Sequence, residues 1–403
     1  MQKVNNINHA NRAHSLLSAS ASHRWLHCPP SARLAENFPN TESEAAKEGT
    51  AAHELMEARL NLALGLIDPS KAKAQVAAAE KSEYYNGEMD EMIGYVVNEM
   101  VEYVQALKEQ HGADRVTVYL ETQFDLSEYV PDCSKVTGDI TLLYPGTIEI
   151  RDLKYGRGVQ VFAEANPQLL MYALGALLKY GKNKAIDTVK TSIIQPRLYH
   201  YDRYEISMIE FFDWVHGVLV PGAELADIGG GELCAGEHCK FCPAKAVCPE
   251  MKRTVKEIAE RAKAGAALLE GLEADALKDI AEMLDLESIV TDYYKAAKEF
   301  ALMKAKDGVA IPGYKLVRGM TKRRVIDPEG LMFVLEMEGL EEKDLYVRQA
   351  KSLTELEKLV GKKTFAELSA GMVEKPEGEL KLVKESDKGE AVNPLASLIS
   401  QFD

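Results

Sequence analysis

Two aspartates and a lysine stand close together near the middle of the sequence. Asp139 follows Gly138, and Lys154 comes two residues after Asp152. Both aspartates lie in strand-like segments, separated by the tight-turn signal Pro145–Gly146. Because side chains alternate faces along a strand, we expect Asp152 and Lys154 on one face about 7 Å apart, with Asp139 across the hairpin. Two carboxylates beside an ammonium are the minimum for metal-assisted hydrolysis of a phosphodiester.

A second chemical signal comes from the cysteines. Three of the six follow the spacing Cys239-x2-Cys242-x5-Cys248, with Cys234 just before them and Cys28 and Cys133 far upstream. Such density indicates metal ligation before disulfides. Four thiolates suit either an iron–sulfur cluster or tetrahedral Zn²⁺, and the spacing alone does not separate the two. The spacing leaves Cys234 as a spare thiol or an alternative ligand, and Cys133 reads as a plain buried or loop thiol.

The surrounding pattern predicts the elements that position these residues. Helical periodicity and capping signals alternate with short β-rich runs, which indicates an α/β core with a mixed sheet. The predicted helices are 22–28, 43–66, 88–111, 165–180 and 206–226, and the predicted strands are 116–126, 138–144, 147–154 and 188–195. A long helical stretch is expected from Pro249 to about Lys306. A small β element is expected at Tyr314–Val317 and Arg323–Val325, with a basic patch at Lys315, Arg318, Lys322, Arg323 and Arg324.

Two further spacings accompany the carboxylate–lysine set. Gly49 and His53 form a Gly-x3-His segment in the second helix, and Gln168 and Tyr172 form a Gln-x3-Tyr segment after the hairpin. With Glu121, this set resembles the RecB-like branch of the PD-(D/E)XK nucleases. Within that branch it is similar to the iron–sulfur group of CRISPR-associated adaptation nucleases and AddB-type helicase–nuclease subunits. Gly138 is a departure, since many relatives have proline before the first aspartate.

The resemblance implies a restriction-endonuclease-like mixed sheet and a role for each matching residue. His53, Asp139 and Asp152 would bind Mg²⁺ or Mn²⁺, and Lys154 would be the catalytic lysine. Glu121 corresponds to an extra acidic residue that holds a water molecule. Gln168 and Tyr172 correspond to residues that position the lysine, the water or the DNA backbone.

The resemblance also implies a set of cluster ligands. Cys28, which precedes Pro29, joins Cys239, Cys242 and Cys248 around a [4Fe–4S] cluster, with zinc as the less favoured occupant. The cluster would tie the N-terminal helix to the end of the nuclease domain. We expect that domain to cover residues 1–253, an accessory helical and β region to cover 254–373, and a charged tail to cover 374–403.

Composition narrows the class of protein but does not indicate a function. The net charge of −15 argues against a broad basic coat, although a local basic groove can exist within an acidic protein. No apolar run approaches the roughly 20 residues that span a bilayer. Met1 to Trp25 lacks the apolar centre of a signal peptide, so we expect a cytoplasmic location.

Taken together, the sequence predicts a Mg²⁺- or Mn²⁺-dependent deoxyribonuclease. We expect it to act as an exonuclease on single strands or duplex ends, in phage or bacterial recombination, repair or replication. The alternative is a non-catalytic DNA-binding or scaffold protein that keeps the nuclease fold. The complete His53, Asp139, Asp152 and Lys154 set argues against that alternative. The sequence has no Gly-x4-Gly-Lys-Ser/Thr loop, so unwinding would need a separate helicase, and annealing or single-strand-binding proteins are further candidate partners.

Overall fold

The structure, a computed structural model, describes residues 15–36, 38, 43–182, 184–265, 274–317, 328–337, 345 and 361–369. The chain divides into two compact units, Met1–Val317 and Arg318–Asp403. In the second unit the described helices are α12 (Pro328–Met337) and α13 (Lys362–Leu368). All features discussed below belong to the first unit.

The first unit is built on one mixed five-stranded sheet. Its strands are β1 (Thr117–Phe124), β2 (Val136–Tyr144), β3 (Gly146–Leu153), β4 (Ile186–Gln195) and β5 (His200–Ser207), and they lie side by side in chain order. Neighbouring strands are antiparallel except β3 and β4, which are parallel. A parallel pair needs a crossover connection, and a helix between β3 and β4 provides it.

Eleven helices of the described chain accompany the sheet in this unit. They are α1 (Ser22–His27), α2 (Pro30–Ala35), α3 (Glu44–Ala63), α4 (Pro69–Ala79), α5 (Gly87–His111), α6 (Pro167–Tyr180), α7 (Met208–Trp214), α8 (Val220–Asp227), α9 (Pro249–Gly265), α10 (Ala274–Asp285) and α11 (Glu287–Lys306). A π-helical turn, Val215–Leu219, joins α7 to α8.

The helices bury both faces of the sheet. On one face, α6 forms a core with the fully buried Trp25 of α1 and Phe211 of α7. On the other face, α3 and α5 form a second core, to which Leu55 and Met100 contribute. This layering of helix, sheet and helix confirms the predicted mixed α/β architecture.

The predicted hairpin between the two aspartates is present. Tyr144 pairs with Thr147, so Pro145 and Gly146 form a two-residue turn. Gly146 has a φ of 76°, which a residue without a Cβ adopts at little cost. The turn therefore fixes the register of β2 against β3, and with it the positions of Asp139 and Asp152.

Several predictions differ from the structure in detail. The stretch predicted as one helix over 206–226 is the end of β5, then α7, the π-helical turn and α8. The segments α4 and β5 were not predicted. The predicted helical stretch after Pro249 comprises α9, α10 and α11. Tyr314–Val317 forms no strand, because the described segment around it runs as turn and irregular backbone. Arg323–Val325 and the predicted tail from residue 374 lie outside the described residues.

None of the helices in the described part of the chain combines the length and apolar composition that crossing a lipid bilayer requires.

Candidate metal centres

The hairpin brings the two predicted aspartates face to face. Ile140 pairs with Arg151, so the next opposed positions along the two strands are Asp139 and Asp152. Asp139 is 7% exposed and Asp152 only 1%. The backbone N–H of Leu153 donates a hydrogen bond of 2.8 Å to Asp139 Oδ2, which anchors that carboxylate to the opposite strand. Two buried carboxylates thus converge at a place where bulk water screens their charges only weakly.

Glu121 reaches the same place because β1 changes face at this residue. Val118 and Leu120 pack in the core under α3 and α5, whereas Phe124 packs in the core under α6. Regular alternation would put these three even-numbered positions on one face. Glu121 has a φ of 42°, an uncommon conformation for a non-glycine residue that recurs at functional sites. The break in alternation therefore coincides with a predicted site residue.

His53 joins the carboxylates from α3. The Ser43 side chain caps this helix by accepting a hydrogen bond from the N–H of Ala46. His53 Nδ1 lies 3.2 Å from Asp139 Oδ2 and 3.8 Å from Glu121 Oε1. One ligand atom from each of these three residues lies within 4.8 Å of the others, so the three could hold a metal ion. Glu121 Oε1 is buried and has no hydrogen-bond partner within the described chain, which fits a cation ligand.

Asp152 lies beside that group and is paired with the lysine. Lys154 Nζ is 2.7 Å from Asp152 Oδ2 and donates a hydrogen bond of 3.2 Å to Gln168 Oε1. Gln168 Nε2 in turn donates a 2.6 Å hydrogen bond to the Tyr172 hydroxyl. Gln168 stands in the first turn of α6, behind its Asn166 cap, and Tyr172 follows one turn later. The helix therefore supports the lysine through a short polar chain.

The electrostatics of the site favour a protonated His53 and a protonated Lys154 when no metal is bound. Burial alone lowers the pKa of His53, but attraction by Asp139 outweighs it and raises that pKa to about 10. Burial raises the pKa of Asp152 to about 6, against the attraction of Lys154 and with the repulsion of Asp139. Burial likewise lowers the pKa of Lys154, and the contact with Asp152 raises it above its ordinary value.

The cysteines form a second centre, at the C-terminal end of α1. One small cavity is lined by five of them, Cys28, Cys234, Cys239, Cys242 and Cys248, together with Arg24 and His238. The four predicted cluster ligands are all buried. Cys28 caps α1, while the others lie in the loop between α8 and the start of α9. Thiols from the end of α1 and from the loop before α9, which are far apart in the sequence, thus line one cavity.

Cys234, predicted as a spare thiol or an alternative ligand, and His238, which was not predicted, also belong to this centre. Cys28, Cys234 and His238 have their ligand atoms within 4.8 Å of one another, so they form a second group that could hold a metal ion. His238 was not predicted, although its position directly before Cys239 was a signal. Cys133 lies elsewhere, in the core under α6, where burial raises its pKa to about 12 and keeps it an unreactive thiol.

A large groove connects the two centres. Its lining includes Lys154 and Gln168 from the carboxylate site and His238 and Cys239 from the cysteine site. Phe162 and Phe241 also line it and are 49% and 77% exposed. Lys240 lies 6.0 Å from the Phe241 ring. The groove thus offers exposed aromatic faces together with both basic and acidic side chains, Glu164 and Glu237 among the latter.

The sequence matches the family described as "Protein of unknown function (DUF2800)" over residues 14–390, so the chain belongs to that family. Among solved structures, the chain is similar to one titled "Crystal structure of SSO0001". That match has 13% sequence identity and a TM-score of 0.22, and it covers 49% of this chain and 85% of the other.

Proposed function

We propose that the chain is a metal-dependent DNA nuclease of the RecB-like PD-(D/E)XK type, with a [4Fe–4S] cluster that closes its nuclease domain. One observation carries the proposal. Five residues of the predicted combination, from four separate elements or their ends, lie close together: His53, Glu121, Asp139, Asp152 and Lys154. Each of these residues has a commoner use in a protein, but their convergence is what a phosphodiester hydrolase requires.

The oxygen-rich donor set fits a hard divalent cation. His53, Glu121 and Asp139 would hold Mg²⁺ or Mn²⁺, whereas the resemblance implied Asp152 in place of Glu121. Glu121 Oε1 is buried, lies 3.8 Å from His53 Nδ1 and makes no hydrogen bond within the described chain, which supports this assignment. The ion, when bound, would neutralise phosphate charge and polarise the scissile phosphodiester. The three side chains would supply one imidazole nitrogen and two carboxylate oxygens.

Lys154 supplies a fixed positive charge beside the ligands. Its raised pKa keeps the ammonium protonated near neutral pH, so it acts as a hydrogen-bond donor and not as a base. The ion pair with Asp152 and the hydrogen bond to Gln168 restrict its orientation. An ammonium held in this way can orient the attacking water and stabilise charge that develops on the phosphate.

The groove supports single strands or duplex ends as the substrate. Exposed aromatic rings stack with bases of any sequence, and lysine near the backbone adds salt-dependent affinity. Phe162, Phe241 and Lys240 provide these groups in the groove that Lys154 also lines.

The cysteine centre fits the proposed cluster by the chemistry of its donors. Cys28, Cys239, Cys242 and Cys248 are buried thiols that line one cavity, and they would supply four thiolates. The role that follows from their position is structural, because Cys28 belongs to the N-terminal α1 and the other three precede α9.

The test compares the wild-type protein with Asp139→Asn in Mn²⁺ binding and in cleavage of end-labelled single- and double-stranded DNA. A nuclease loses both properties in the variant and keeps its iron content and fold. If the wild-type protein is folded and iron-loaded, binds DNA and yet cleaves neither substrate with Mg²⁺ or Mn²⁺, the proposal is wrong and the scaffold alternative holds.

A further inference from the structure

Cys234 and His238 lie in the cysteine centre but belong to no proposed cluster ligand set. Cys234 lines the same cavity as Cys28, and its Sγ lies 2.9 Å from the His27 carbonyl oxygen. Its Sγ lies 3.7 Å from His238 Nε2. Cys239 lines the same cavity, and its Sγ lies 3.8 Å from the Cys234 carbonyl oxygen. Cys28, Cys234, His238 and Cys239 therefore supply three thiols and one imidazole to one cavity.

The spacing of three of these donors, Cys28, Cys234 and His238, matches a single ion. Around a tetrahedral Zn²⁺, bond lengths of about 2.3 Å to sulfur and 2.0–2.1 Å to nitrogen place neighbouring sulfurs about 3.8 Å apart and sulfur about 3.6 Å from nitrogen. The observed sulfur–nitrogen distance is 3.7 Å, and the three donors of Cys28, Cys234 and His238 lie within 4.8 Å of one another. In a [4Fe–4S] cluster each thiolate binds a different iron, which spreads the sulfurs farther apart.

We propose that Cys28, Cys234 and His238 bind a mononuclear Zn²⁺ ion, with Cys239 of the same cavity moving onto the ion to complete a Cys₃His set. Thiolate and imidazole donors together are the usual ligands of structural Zn²⁺. His238 Nε2 lies 3.0 Å from the Cys234 carbonyl oxygen, and coordination through this atom replaces that contact. The His27 ring stacks on His238 at a centroid distance of 5.6 Å, which restricts the orientation of the imidazole.

The zinc site and the proposed cluster exclude each other. They share Cys28 and Cys239, while Cys234 and His238 are particular to zinc, and Cys242 and Cys248 are particular to the cluster. Either the zinc ion or the iron–sulfur cluster links α1 to the loop before α9. The chain therefore keeps this long-range link when iron is scarce. This inference concerns the cysteine centre alone and stands whether or not the carboxylate site cleaves DNA.

The experiment measures zinc binding to the full-length protein after anaerobic removal of bound metal. Zn²⁺ is titrated in competition with a chromophoric chelator, and Co²⁺ is used as a spectroscopic probe of tetrahedral thiolate coordination. We expect one zinc ion per chain. Cys234→Ser and His238→Ala should each weaken zinc binding by at least about 100-fold, since even the loss of an indirect partner costs 10–100-fold. Cys242→Ser and Cys248→Ser should bind zinc as the wild type does while failing to assemble an iron–sulfur cluster.

The opposite pattern overturns the proposal. If Cys242→Ser and Cys248→Ser lose zinc while the Cys234 and His238 variants keep it, zinc uses the cluster ligands. Equal loss in all four variants, or no zinc in the wild type, also overturns it. Circular dichroism checks the fold of each variant, and His238→Gln replaces His238→Ala if the latter does not fold.

Discussion

His53 Nδ1 and Asp139 Oδ2 lie 3.2 Å apart, although one residue belongs to α3 and the other to β2 on the central sheet. Asp139 accepts a second hydrogen bond from the backbone of Leu153, so it is held by both a helix and a strand. In the metal-free protein a proton on His53 takes the place of a cation among these carboxylates. Protons and metal ions therefore compete for one site.

This competition predicts a pH-dependent metal affinity. The pKa of His53 in the metal-free protein is raised to about 10, so metal entry must release a proton below that pH. We expect the affinity for Mn²⁺ to rise by about tenfold per pH unit between about pH 7 and 9 and to level off near 10. Calorimetry in buffers of different ionisation enthalpy counts the released proton. His53→Gln should abolish the slope, and an unchanged slope in that variant would assign the proton to another group.

A second prediction concerns the support of Lys154. Gln168→Leu removes the acceptor for the Lys154 ammonium and the donor to Tyr172, but leaves the Asp152 ion pair in place. Because small displacements of a catalytic group are costly, we expect kcat to fall on the order of 10- to 100-fold with Mn²⁺ affinity unchanged. Gln123→Leu, at an exposed position of β1, is the matched control. An equal loss in both variants would argue against a positioning role.

A third prediction tests the packing under β1. A Cβ at Gly175 would lie 2.5 Å from Cγ of Phe124, which is 2% exposed and has little room to move. We therefore expect Gly175→Ala to lower the free energy of unfolding by about 1–3 kcal/mol in urea titrations. Because Phe124 follows Glu121 on β1, Mn²⁺ affinity should fall as well.

The matched control for this substitution is Gly94→Ala. The nearest atom to a Cβ there, Arg59 Nη1, is 3.9 Å away, and the helical position predicts a gain of about 0.5–1 kcal/mol. A neutral Gly175→Ala variant would show that α6 and β1 pack less tightly than described.

A fourth prediction concerns the link between α1 and the loop before α9 that the proposed cluster would make. Cys248→Ser removes one proposed cluster ligand, so the anaerobically purified protein should lose its brown colour and most of its iron and sulfide. When zinc is also withheld, release of Cys28 should make the chain near α1 more sensitive to limited proteolysis. Cys133→Ala changes a buried thiol away from the cavity and should retain the iron. Full iron content in Cys248→Ser would rule out the proposed ligand set.

Much of the fold could be predicted from local pattern. The hairpin was evident from Pro145 and Gly146, and α3, α5, α6 and β4 agree with their predicted bounds to within a few residues. The strand β5 was missed because its sequence, HYDRYEIS, is largely polar. Its backbone pairing with β4, which the composition does not reveal, makes it a strand. The predicted strand at Tyr314–Val317 was wrong, since β-like composition without a described partner strand does not make a sheet.

The candidate site, like the fold, could be predicted only in part. The resemblance named His53, Glu121, Asp152 and Lys154, which the structure brings together with Asp139. It did not predict the left-handed backbone of Glu121, which depends on tertiary packing on both faces of β1. It also gave no place to His238, because only the fold shows that its ring lies beside both Cys234 and Cys239.

The central claim is that Lys154 and its neighbouring carboxylates hydrolyse DNA. Its most direct test is anaerobic incubation of end-labelled DNA with Mn²⁺ and three proteins: wild type, Lys154→Ala and Lys190→Ala. Lys190 forms an exposed ion pair with Glu205 away from the site. We predict metal-dependent cleavage by the wild type and by Lys190→Ala, and a loss on the order of 10²–10⁴-fold in Lys154→Ala. Cleavage by folded Lys154→Ala at the wild-type rate would contradict the account.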